Sequence, residues 1–523
     1  MKNLYIFQDI NEEKLSELKE ENADFIAFDY ISHKILAKNK IKHNLIDDYI
    51  NENDRKEIFQ FCSTCLKQYE RSDESDLKFH NIDLVSIVDR NELHEFLMDL
   101  IPKIKAIKNI LAQMNFTKIY ASFKIYQILE NNTDYDVILF DNYKNNKPLT
   151  HDEIILNYDN IPFSIKPKLS RSKFRMIKKN QEKIASKIFH LRKDNPEKKK
   201  IVLIEFNPEV YEDLLYEMQR QKVQPVLINF RRPATWSLSS ISILRKTDSL
   251  VILPEDFLGK QILTQIKEDK KSILLKIENT LKNESLKMSN IFSYEGIKFH
   301  KILIDLFIGI LRDRLEEYLI QILISKKLDK SENVLGAITL NFSGETEKSF
   351  SKVIKKFPII LLQHGFSNYT KSLMFLDVLD DFRFFKDKIA VYGRVLQEYL
   401  LSTNLIPEDK IIVCGSPKYD SFKPIIKRSS KKKIILVTLR PIISLIEGIR
   451  IELYERYENA INTIIESCND LSGNEIIFKL HPQQNDNNQF LKDVIKQKDA
   501  SAKIIQSTSI KKLLIDCDLH INL

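Results

Sequence analysis

Short apolar runs rich in β-branched residues alternate with longer segments of helical periodicity along the whole chain. This alternation is typical of βαβ units, and it predicts an α/β fold with parallel sheets. In the first part of the chain the predicted strands are 3–7, 24–30, 118–123 and 136–142. A helical stretch at 91–114 lies between them, so residues 1–160 are interpreted as an N-terminal α/β region with helical insertions.

The same alternation resumes after a basic segment and continues to the last residue. A first series of strands is predicted at 199–207, 223–230, 249–254, 333–344 and 357–365. A second series is predicted at 387–393, 410–417, 432–441, 475–482, 502–507 and 518–523. The pattern predicts two Rossmann-like units, over 201–375 and 386–523, with the crossover between them somewhere in 366–387.

Polar residues stand at the carboxyl ends of several predicted strands, and in an open parallel sheet that edge is where ligands bind. The distribution of glycine points to the same part of the chain. The sequence has only ten glycines, and half of them fall in one segment: Gly336, Gly344, Gly365, Gly393 and Gly415. Because glycine allows positive φ and close approach of the backbone, this segment is interpreted as the functional middle of the protein.

The first strand tip with chemical potential is Gln363-His364-Gly365, which ends the apolar run of 357–362. An unperturbed imidazole titrates near pH 6.5, which suits a general base at neutral pH. Glu345, which follows the preceding strand, is a candidate for orienting His364 or the acceptor. A histidine at a strand end is more often a hydrogen-bonded structural residue, and this alternative stays open here.

The second tip is the end of 475–482, where Lys479 and His481 flank the last strand residue. Pro482 follows His481, and proline ends a strand because its ring fixes φ and its nitrogen carries no hydrogen. The spacing therefore predicts a strand end at which an imidazole and an ammonium group project together.

Two further tips carry anion-binding residue types. Gly415 and Ser416 form a predicted turn, and Asp420 follows at the expected start of a helix. Thr438 and Arg440 end the strand of 432–441. Arginine suits bidentate capture of phosphate oxygens, and hydroxyl groups supplement it. Four such tips in order along 363–482 favour a ligand site over independent structural turns.

Another segment with candidate site residues is 229–237, which follows a predicted strand and contains the single tryptophan of the chain. Arg231, Arg232 and Trp236 would line an acceptor cleft by holding a phosphate or stacking on a sugar. Ordinary packing at the start of a helix explains the same residues equally well.

The net charge of the chain is +8, but acidic and basic residues are interspersed almost everywhere. This distribution argues against a nucleic-acid surface, which concentrates its basic residues. The exception is the basic stretch 166–200, assigned to a helix and linker over 161–200. A solvated helix is the ordinary explanation. The functional alternative is peripheral contact with anionic lipid head groups or with an anionic polymer.

Five cysteines in a chain of this length predict a reducing cytoplasmic environment rather than a disulfide framework. The CxxC at 61–65 lacks a second pair or a histidine cluster, so a helix is favoured over zinc or redox chemistry. The sequence also contains neither a P-loop nor a dinucleotide-binding GxGxxG motif.

The ordered motifs "LLQHGFSN", "VCGSPKYD", "ILVTLRP" and "FKLHPQQ" resemble those of the CDP-glycerol glycerophosphotransferase group and related capsule and surface-carbohydrate transferases. The resemblance covers 333–523. It implies a GT-B-like architecture with two facing Rossmann-like domains, a nucleotide-activated donor, and chemistry without a metal or other cofactor. It also implies that His364 is the base and that Pro417 belongs to the donor-binding turn.

The sequence departs from the family pattern at several positions. Gln363 stands where the family usually has tryptophan, Lys418 replaces an arginine, and Thr438-Leu439-Arg440 lacks a preceding proline. These departures leave the donor open between CDP-glycerol and a nucleotide sugar. Family members continue past a strand such as 518–523 into a phosphate-binding turn and helix, so the donor domain is expected to be truncated at Leu523.

The resulting hypothesis is a transferase that moves a glycosyl or polyol-phosphate group to a hydroxyl of a surface polysaccharide, a teichoic-acid-like polymer or a lipid-linked precursor. The donor would bind the domain of 386–523 through the tips around Ser416, Arg440 and His481. Gln363, His364 and Gly365 would face the acceptor from 201–375. Preorganised charge at the leaving diphosphate would supply the largest catalytic contribution. The expected location is the cytoplasm, with peripheral contact at the inner face of the membrane as an addition.

Two alternatives remain open from the sequence. The first is a sugar-nucleotide 2-epimerase-like enzyme, which would need carboxylates around the sugar ring; Glu345 is one candidate, without an evident partner. The second is a non-catalytic GT-B relic that acts as a binding or scaffold protein. Loss of the reaction on substitution of His364 and His481 would distinguish a transferase from such a relic.

Overall fold

The computed structural model of the chain alternates strands and helices over most of its length. It describes residues 2–18, 22–70, 77–113, 115–130, 132–141, 153–155, 168–191, 193–283, 289–341, 343–365, 382, 385–404, 406–420, 433–440, 442, 450–470, 473–481, 486–506 and 508–523. The strands are β1 (Lys2–Phe7), β2 (Ala23–Ala27), β3 (Asn44–Leu45), β4 (Lys78–Phe79), β5 (Ile82–Asp83), β6 (Phe116–Ser122), β7 (Asp136–Asp141), β8 (Glu153–Ile155), β9 (Lys168–Ser170), β10 (Lys200–Ile204), β11 (Gln224–Ile228), β12 (Leu250–Val251), β13 (Ser293–Tyr294), β14 (Ile297–Lys298), β15 (Val334–Thr339), β16 (Ile359–Leu362), β17 (Lys388–Val391), β18 (Ile411–Val413), β19 (Lys433–Leu439), β20 (Asn474–Leu480), β21 (Lys503–Ile505) and β22 (Leu519–Asn522).

Helices connect most of these strands. The α-helices are α1 (Tyr30–Lys38), α2 (Glu52–Glu70), α3 (Arg90–Gln113), α4 (Phe123–Leu129), α5 (Arg171–Ile188), α6 (Glu212–Arg220), α7 (Leu238–Lys246), α8 (Pro254–Leu258), α9 (Lys260–Asn283), α10 (His300–Asp329), α11 (Glu345–Val353), α12 (Arg394–Ser402), α13 (Ile451–Asn469), α14 (Asp486–Lys498) and α15 (Ile510–Asp516). Short 3-10 helices lie at Glu12–Glu17, Ile46–Tyr49, Val85–Ile87 and Glu408–Lys410.

Within the described ranges the longer sheets are three, and all of their strand pairs are parallel. The N-terminal sheet has the order β3-β2-β1-β6-β7 and the central sheet the order β12-β11-β10-β15-β16-β17-β18. The C-terminal sheet has the order β21-β20-β19-β22. The predicted α/β class with parallel sheets is therefore confirmed.

The strands of the central sheet are buried on both faces, as expected for a parallel sheet covered by helices. Val202 and Ile204 of β10 belong to the hydrophobic core that contains α10, whereas Leu203 points to a second core with Leu215 of α6 and Leu244 of α7. Alternate residues of one strand thus fill two different layers. This double burial fixes the register of β10 and so the position of the polar residues that follow it.

The sheet to which β17 and β18 belong differs from the one that the sequence predicts. They were predicted to open the second Rossmann-like unit at 386, but β17 pairs with β16 and β18 pairs with β17, so both belong to the central sheet. The C-terminal sheet begins only at β19. An apolar run predicts a buried strand without specifying its partner, which explains the difference. Most of the predicted crossover, 366–381, lies outside the described residues.

The C-terminal unit also contacts the N-terminal region. Tyr454 of α13 stacks on Tyr30 at a centroid distance of 5.3 Å, and Phe490 of α14 meets the same ring edge-on at 5.3 Å. The backbone nitrogen of Ile451 donates to Asp47 Oδ2 at 2.8 Å, at the start of α13. These contacts hold the helices of the C-terminal sheet against the first part of the chain.

The basic helix α5 is not simply solvated. Arg171 donates to Glu345 Oε2 at 2.5 Å, and Arg175 Nε lies 2.7 Å from Glu317 Oε2. Lys178 is buried as well. Arg171 and Arg175 thus pair with acidic residues of α11 and α10, and Lys178 donates to the Asn229 carbonyl, because buried charges need partners. The positive charge of this segment is therefore only partly available to an external ligand.

The apolar run 302–311 contains Asp305 and is too short to cross a bilayer, so its pattern predicts a buried helix. The run lies in α10, and this prediction is confirmed. Phe307, Leu311, Leu315 and Tyr318 are all fully buried. Among the helices of the described ranges, none is both long and apolar enough to cross a membrane. The CxxC cysteines Cys62 and Cys65 lie in α2 and are buried, as the helical interpretation of that motif predicts.

Candidate functional site

The turn after β11 is fixed by a carboxylate from the neighbouring strand. Glu205 directly follows β10 and has a φ of 60°, an uncommon value for a residue other than glycine. Its carboxylate accepts the backbone N–H groups of Phe230 at 2.7 Å and Arg231 at 3.2 Å, and the Thr346 hydroxyl at 2.8 Å. Glu205 thereby anchors the turn that presents Arg231 at the carboxyl edge of the central sheet.

The Arg231 guanidinium lies between two carboxylates. Its Nη2 donates to Glu347, and its Nε lies 3.7 Å from Glu205 Oε2. Burial alone would lower the pKa of Arg231, but Glu347 and Glu205 raise it above its usual value. The side chain is still 40% exposed. It is therefore a fixed positive charge that solvent can reach.

At Glu347 the surroundings favour the neutral form of the side chain rather than the charged form. Burial raises its pKa to about 7; the Arg231 cation opposes the shift and the Glu205 carboxylate adds to it. One guanidinium between two buried carboxylates leaves one negative charge uncompensated, and a proton relieves it. Glu347 can therefore gain or lose a proton near neutral pH.

Replacing Glu347 by glutamine is expected to flatten the pH dependence of stability. Between the usual pKa of 4.5 and about 7, the folded protein holds a proton that the unfolded chain has released. The free energy of unfolding of the wild type should therefore fall as pH rises through this window. At pH 8 the variant should be more stable by about 1–3 kcal/mol. Urea unfolding at pH 5, 6, 7 and 8 measures this, with exposed Glu332→Gln as the control; equal slopes for Glu347→Gln and wild type would contradict it.

His364 stands at the tip of β16 with its side chain exposed. Burial of the ring by surrounding protein lowers its pKa, and the cations of Lys418 and Arg231 lower it further, while a hydrogen bond with the Leu340 backbone opposes them. The imidazole is thus neutral near pH 7 and able to accept a proton.

The tip that carries His364 is rigid. Gln363 Oε1 accepts the Tyr392 backbone N–H at 2.7 Å, and its Nε2 donates to the Gly365 carbonyl at 2.9 Å. Lys418 Nζ donates to the His364 carbonyl. The prediction placed Gln363 at the acceptor, but the structure uses both ends of its amide within the protein. Gly365 is exposed beside His364.

The donor-turn candidates after β18 lie on the central sheet, the same sheet as His364. Gly415 has a φ of 77°, which favours glycine because other side chains rarely adopt it. Ser416 and Pro417 are partly buried in this turn, and Asp420 is exposed at its end. Predicted to face His364 from the opposite sheet, these residues instead extend the same edge, because β18 pairs with β17.

On the C-terminal sheet, His481 is exposed after β20. Burial lowers its pKa, followed by the cations of Lys479, Arg232 and Arg440. Lys479 itself is buried and donates to the Leu480 carbonyl at 2.6 Å and to another main-chain carbonyl at 2.8 Å. Lys479 therefore serves the strand end and contributes charge, while His481 and Arg440 lie exposed after β20 and β19.

Thr438 was also predicted to bind the donor. Its hydroxyl lies 2.9 Å from His520 Nε2 and donates to Asn522 Oδ1 at 2.9 Å, so it ties β19 to β22. His520 and Asn522 were not identified from the sequence, although the period-two pattern of 518–523 places them on one face of a strand. Arg440 follows at the exposed strand end, and predicted Pro482 lies outside the described residues.

Both imidazoles lie within electrostatic reach of the turn after β11. Arg231 contributes to the lowered pKa of His364, and Arg232 contributes to the lowered pKa of His481. Because Arg231 and Arg232 are consecutive, the tips of β16 and β20 are influenced by the same exposed, cationic turn.

Glu345 is not brought to His364. It accepts hydrogen bonds from Arg171 at 2.5 Å, Arg314 at 2.7 Å and Tyr318 at 2.5 Å. Burial would raise its pKa, but the two guanidinium groups outweigh it and hold the pKa well below the usual value. The carboxylate that was expected to orient the base is a permanently charged member of a buried network.

Trp236 is brought to α5 rather than to the imidazoles. Its ring centroid lies 6.4 Å from that of Phe174, and the ring is 45% exposed. The residues of the predicted acceptor set thus have different surroundings. Arg231 and Arg232 influence the two imidazoles, whereas Trp236 lies against Phe174 of α5.

The chemistry of this group of residues follows from its charges. Arg231, Arg232, Lys418 and Arg440 bring positive charge near the two imidazoles, and the lowered pKa values favour neutral His364 and His481. Guanidinium and ammonium groups bind phosphate oxygens, and neutral imidazoles accept protons. The arrangement is suited to an anionic substrate that reacts with a proton-donating partner.

No protein-family model matches the chain, and no curated protein matches it. Solved structures give weak matches. S. aureus MnaA with UDP is 13% identical over 60% of this chain and 71% of that chain, with a TM-score of 0.34. UDP-GlcNAc 2-epimerase from Neisseria meningitidis bound to UDP-GlcNAc is 12% identical over 62% and 77%, with a TM-score of 0.33. A glycosyltransferase from Rickettsia africae is 13% identical over 62% and 72%, with a TM-score of 0.29.

Proposed function

We propose that the chain is a GT-B-type transferase that moves a group from a nucleoside-diphosphate donor to an acceptor hydroxyl. The observation that carries this proposal is a pair of exposed imidazoles at the carboxyl ends of β16 and β20, one influenced electrostatically by Arg231 and the other by Arg232. His481 adjoins a cationic strand end that suits a diphosphate, and His364 can take the proton of the acceptor hydroxyl. Leaving-group stabilisation and proton removal therefore each have a candidate residue.

The donor is proposed to lie against the C-terminal sheet. Arg232, Arg440 and His481 would contact the diphosphate, whose negative charge grows as its bond to the transferred sugar breaks. Fixed cations at a developing anion stabilise the transition state more than the ground state. The buried Lys479 ammonium would add to this field without contacting the substrate.

The acceptor is proposed to enter on the side of the central sheet. Its hydroxyl oxygen would form the new bond to the anomeric carbon, the bond from that carbon to the diphosphate oxygen would break, and the hydroxyl proton would pass to His364. The diphosphate leaves with the bonding electron pair. The lowered pKa of His364 keeps the ring unprotonated at neutral pH, as this role requires.

A panel of donors tests the nucleotide part of the proposal. UDP, CDP and GDP, each with a corresponding sugar or glycerol conjugate, should include one nucleotide that raises the melting temperature specifically. Arg232→Ala should raise its dissociation constant about ten- to a hundredfold, because hydrogen bonds to charged groups contribute ~1.5–3 kcal/mol. Arg456→Ala, an exposed arginine of α13, is the matched control and should leave binding unchanged.

The outcome of this panel is decisive in either direction. Stabilisation by a single nucleotide that is lost in Arg232→Ala and His481→Ala supports the donor site. No stabilisation by any nucleotide, or stabilisation that both variants retain, would contradict it. Specific nucleotide binding without any transfer or turnover would instead favour the binding or scaffold protein.

One observation favours a second candidate, a sugar-nucleotide 2-epimerase-like enzyme. Such an enzyme needs a carboxyl group that exchanges protons near a sugar ring, and Glu347 has its pKa raised to about 7 beside Arg231. Incubating the nucleotide sugar in D₂O without an acceptor distinguishes the two reactions. Deuterium at the sugar C2 position, lost in Glu347→Gln, would favour the epimerase; its absence together with transfer to an acceptor favours the transferase.

A further inference from the structure

Helix α5 presents two chemically different faces. Its inward face contains Arg171, Arg175 and Lys178, which pair with acidic or main-chain groups of the protein. At 100° per residue, the opposite face is formed by 173, 176, 177, 180, 183, 184, 187 and 188. This outward face is the surface to be explained, since packing within the protein does not use it.

The outward face is apolar and exposed. Met176, Ile184 and Ile188 are 61%, 60% and 61% exposed, and Ile177 is 47% exposed. Single exposed apolar side chains are ordinary on a protein surface, but an aligned row along one helix is not. Four long apolar side chains on one helix face form a stripe that is suited to burial against a partner.

Lysines accompany the stripe. Lys173, Lys183 and Lys187 lie on the same face and are exposed. The remaining position of the face is Asn180, so the outward face of α5 contains no carboxylate. Beside this face, Lys179 pairs with Glu255 and lies near both Lys267 and Glu316, so the unbalanced positive charge is that of the outward face itself.

The loop before α7 extends this surface. Gln181 Nε2 donates to the Thr235 carbonyl at 2.9 Å, and Glu182 accepts the Ala234 backbone N–H at 2.9 Å, which fixes the loop against α5. Leu238 follows with 80% of its surface exposed. Together with exposed Trp236, it adds apolar side chains beside the stripe.

We propose that the outward face of α5, with Trp236 and Leu238, docks on the surface of an anionic lipid bilayer. A helix with an apolar stripe, flanking lysines and no acidic residue on that face lies in the plane of a membrane interface, its apolar side chains among the acyl chains and its cations at the head groups. Tryptophan suits the same interface. A second copy of the chain is a poorer partner, because it would bring two lysine-bearing faces together.

The proposed reaction does not depend on this surface, but docking would determine where the reaction takes place. Trp236 is five residues from Arg231, so the two are separated by at most ~18 Å of chain. Docking through α5 would therefore hold Arg231 and the proposed site close to the bilayer, where a lipid-linked acceptor is carried. Failure of the docking would leave the donor-site proposal intact, since that proposal is tested with nucleotides in the absence of lipid.

Flotation of the full chain with vesicles tests the docking. Vesicles of phosphatidylcholine with 30% phosphatidylglycerol should carry the protein upward, and pure phosphatidylcholine should carry several times less. Ile184→Ser/Ile188→Ser should reduce the bound fraction at least fivefold. Lys183→Glu/Lys187→Glu should weaken binding more than twentyfold, because each lysine near an anionic surface contributes roughly fivefold. These side chains are exposed, so both variants should keep the melting temperature of the wild type.

Matched controls come from other exposed positions. Val395→Ser, on α12, and Lys42→Glu, in the N-terminal region, should float like the wild type. The proposal is overturned if the wild type fails to float with anionic vesicles, or if the α5 variants float as well as the controls. Light scattering that shows a dimer broken by Ile184→Ser/Ile188→Ser, or binding to a soluble polyanion but not to vesicles, would also overturn it.

Discussion

Replacing His364 by alanine is expected to lower kcat for transfer by about 10²–10⁴-fold, because a positioned general base contributes that much to a proton transfer. The Michaelis constant for the donor should change little, since the donor is proposed to bind the other sheet. The imidazole is exposed, so its removal should leave the melting temperature unchanged. Initial rates at saturating donor, with release of the nucleoside diphosphate as the readout, measure this effect.

The pH profile provides a signature that a structural role would not produce. The rate should fall on the acid side as His364 becomes protonated, with a midpoint below the usual value of 6.5, because burial and the cations of Lys418 and Arg231 lower its pKa. Lys418→Met removes one of these cations and should move the midpoint upward. A rate that does not fall below pH 6, or a midpoint unaffected by Lys418→Met, would contradict the assignment of the base.

His190→Asn is the matched control for the loss of His364. His190 is exposed, and asparagine tolerates its positive φ of 56°. This variant should retain the activity of the wild type. If His364→Ala also retained activity, the proposed mechanism would be wrong even with the nucleotide site intact.

Much of the fold was predictable because the hydrophobic pattern is strong. The predicted strands from 3–7 to 518–523 all correspond to strands of the structure, and 302–311 is a buried helix. Very short strands such as β3 escaped prediction, because two residues carry no periodic signal. The membership of β17 and β18 escaped it too, because strand pairing depends on contacts between distant parts of the chain and not on the apolar run itself.

The sequence placed polar residues at the carboxyl ends of strands, and the structure shows which of them serve the fold. Several of these side chains satisfy the protein's own hydrogen bonds. Gln363 bonds to main-chain groups, Thr438 bonds to β22, and Lys479 bonds to carbonyl groups. A sequence shows that a polar residue follows a strand, but not which way its side chain turns, and buried backbone groups compete with any ligand for it.

Two acidic residues of the site were missed despite an available signal. Glu205 follows β10 directly, and Glu347 lies two residues beyond Glu345, the candidate considered after β15. Both would have been candidates under the same rule that selected the other strand tips. Their pairing with Arg231 joins β10, β11 and α11, and that combination emerges only when the strand order of the central sheet is known.

Replacing Arg314 by leucine is expected to lower the free energy of unfolding by about 3–5 kcal/mol, the cost of leaving buried charges without their partner. Arg314 is fully buried and contacts Glu92 through two hydrogen bonds, at 2.5 and 2.8 Å, and Glu345 at 2.7 Å. Leucine would leave Glu92 without this guanidinium in the interior. Urea unfolding at pH 7 measures the loss.

Removing the Glu92 carboxylate, which loses its guanidinium partner in Arg314→Leu, should restore part of that stability. In Arg314→Leu/Glu92→Leu both charges are gone, and apolar replacements of buried ion pairs are often close to neutral. The double variant should therefore be more stable than Arg314→Leu alone, with a coupling of about 0.5–3 kcal/mol. Arg456→Leu, which removes an exposed pair with Glu452, should change stability by less than ~0.5 kcal/mol. A loss in Arg314→Leu no larger than this control would contradict the prediction.

The same substitution should also weaken donor binding, for a reason that lies in α11. Glu345, held by Arg314, begins this helix, and Glu347, which holds Arg231, lies two residues further on. A shift of the first turn of α11 would move the carboxylate that positions Arg231 and, with it, the adjacent Arg232. Arg314→Leu should therefore raise the dissociation constant of the nucleotide at temperatures where the variant is fully folded. Unchanged affinity would show that the buried network supports the fold but does not position the turn.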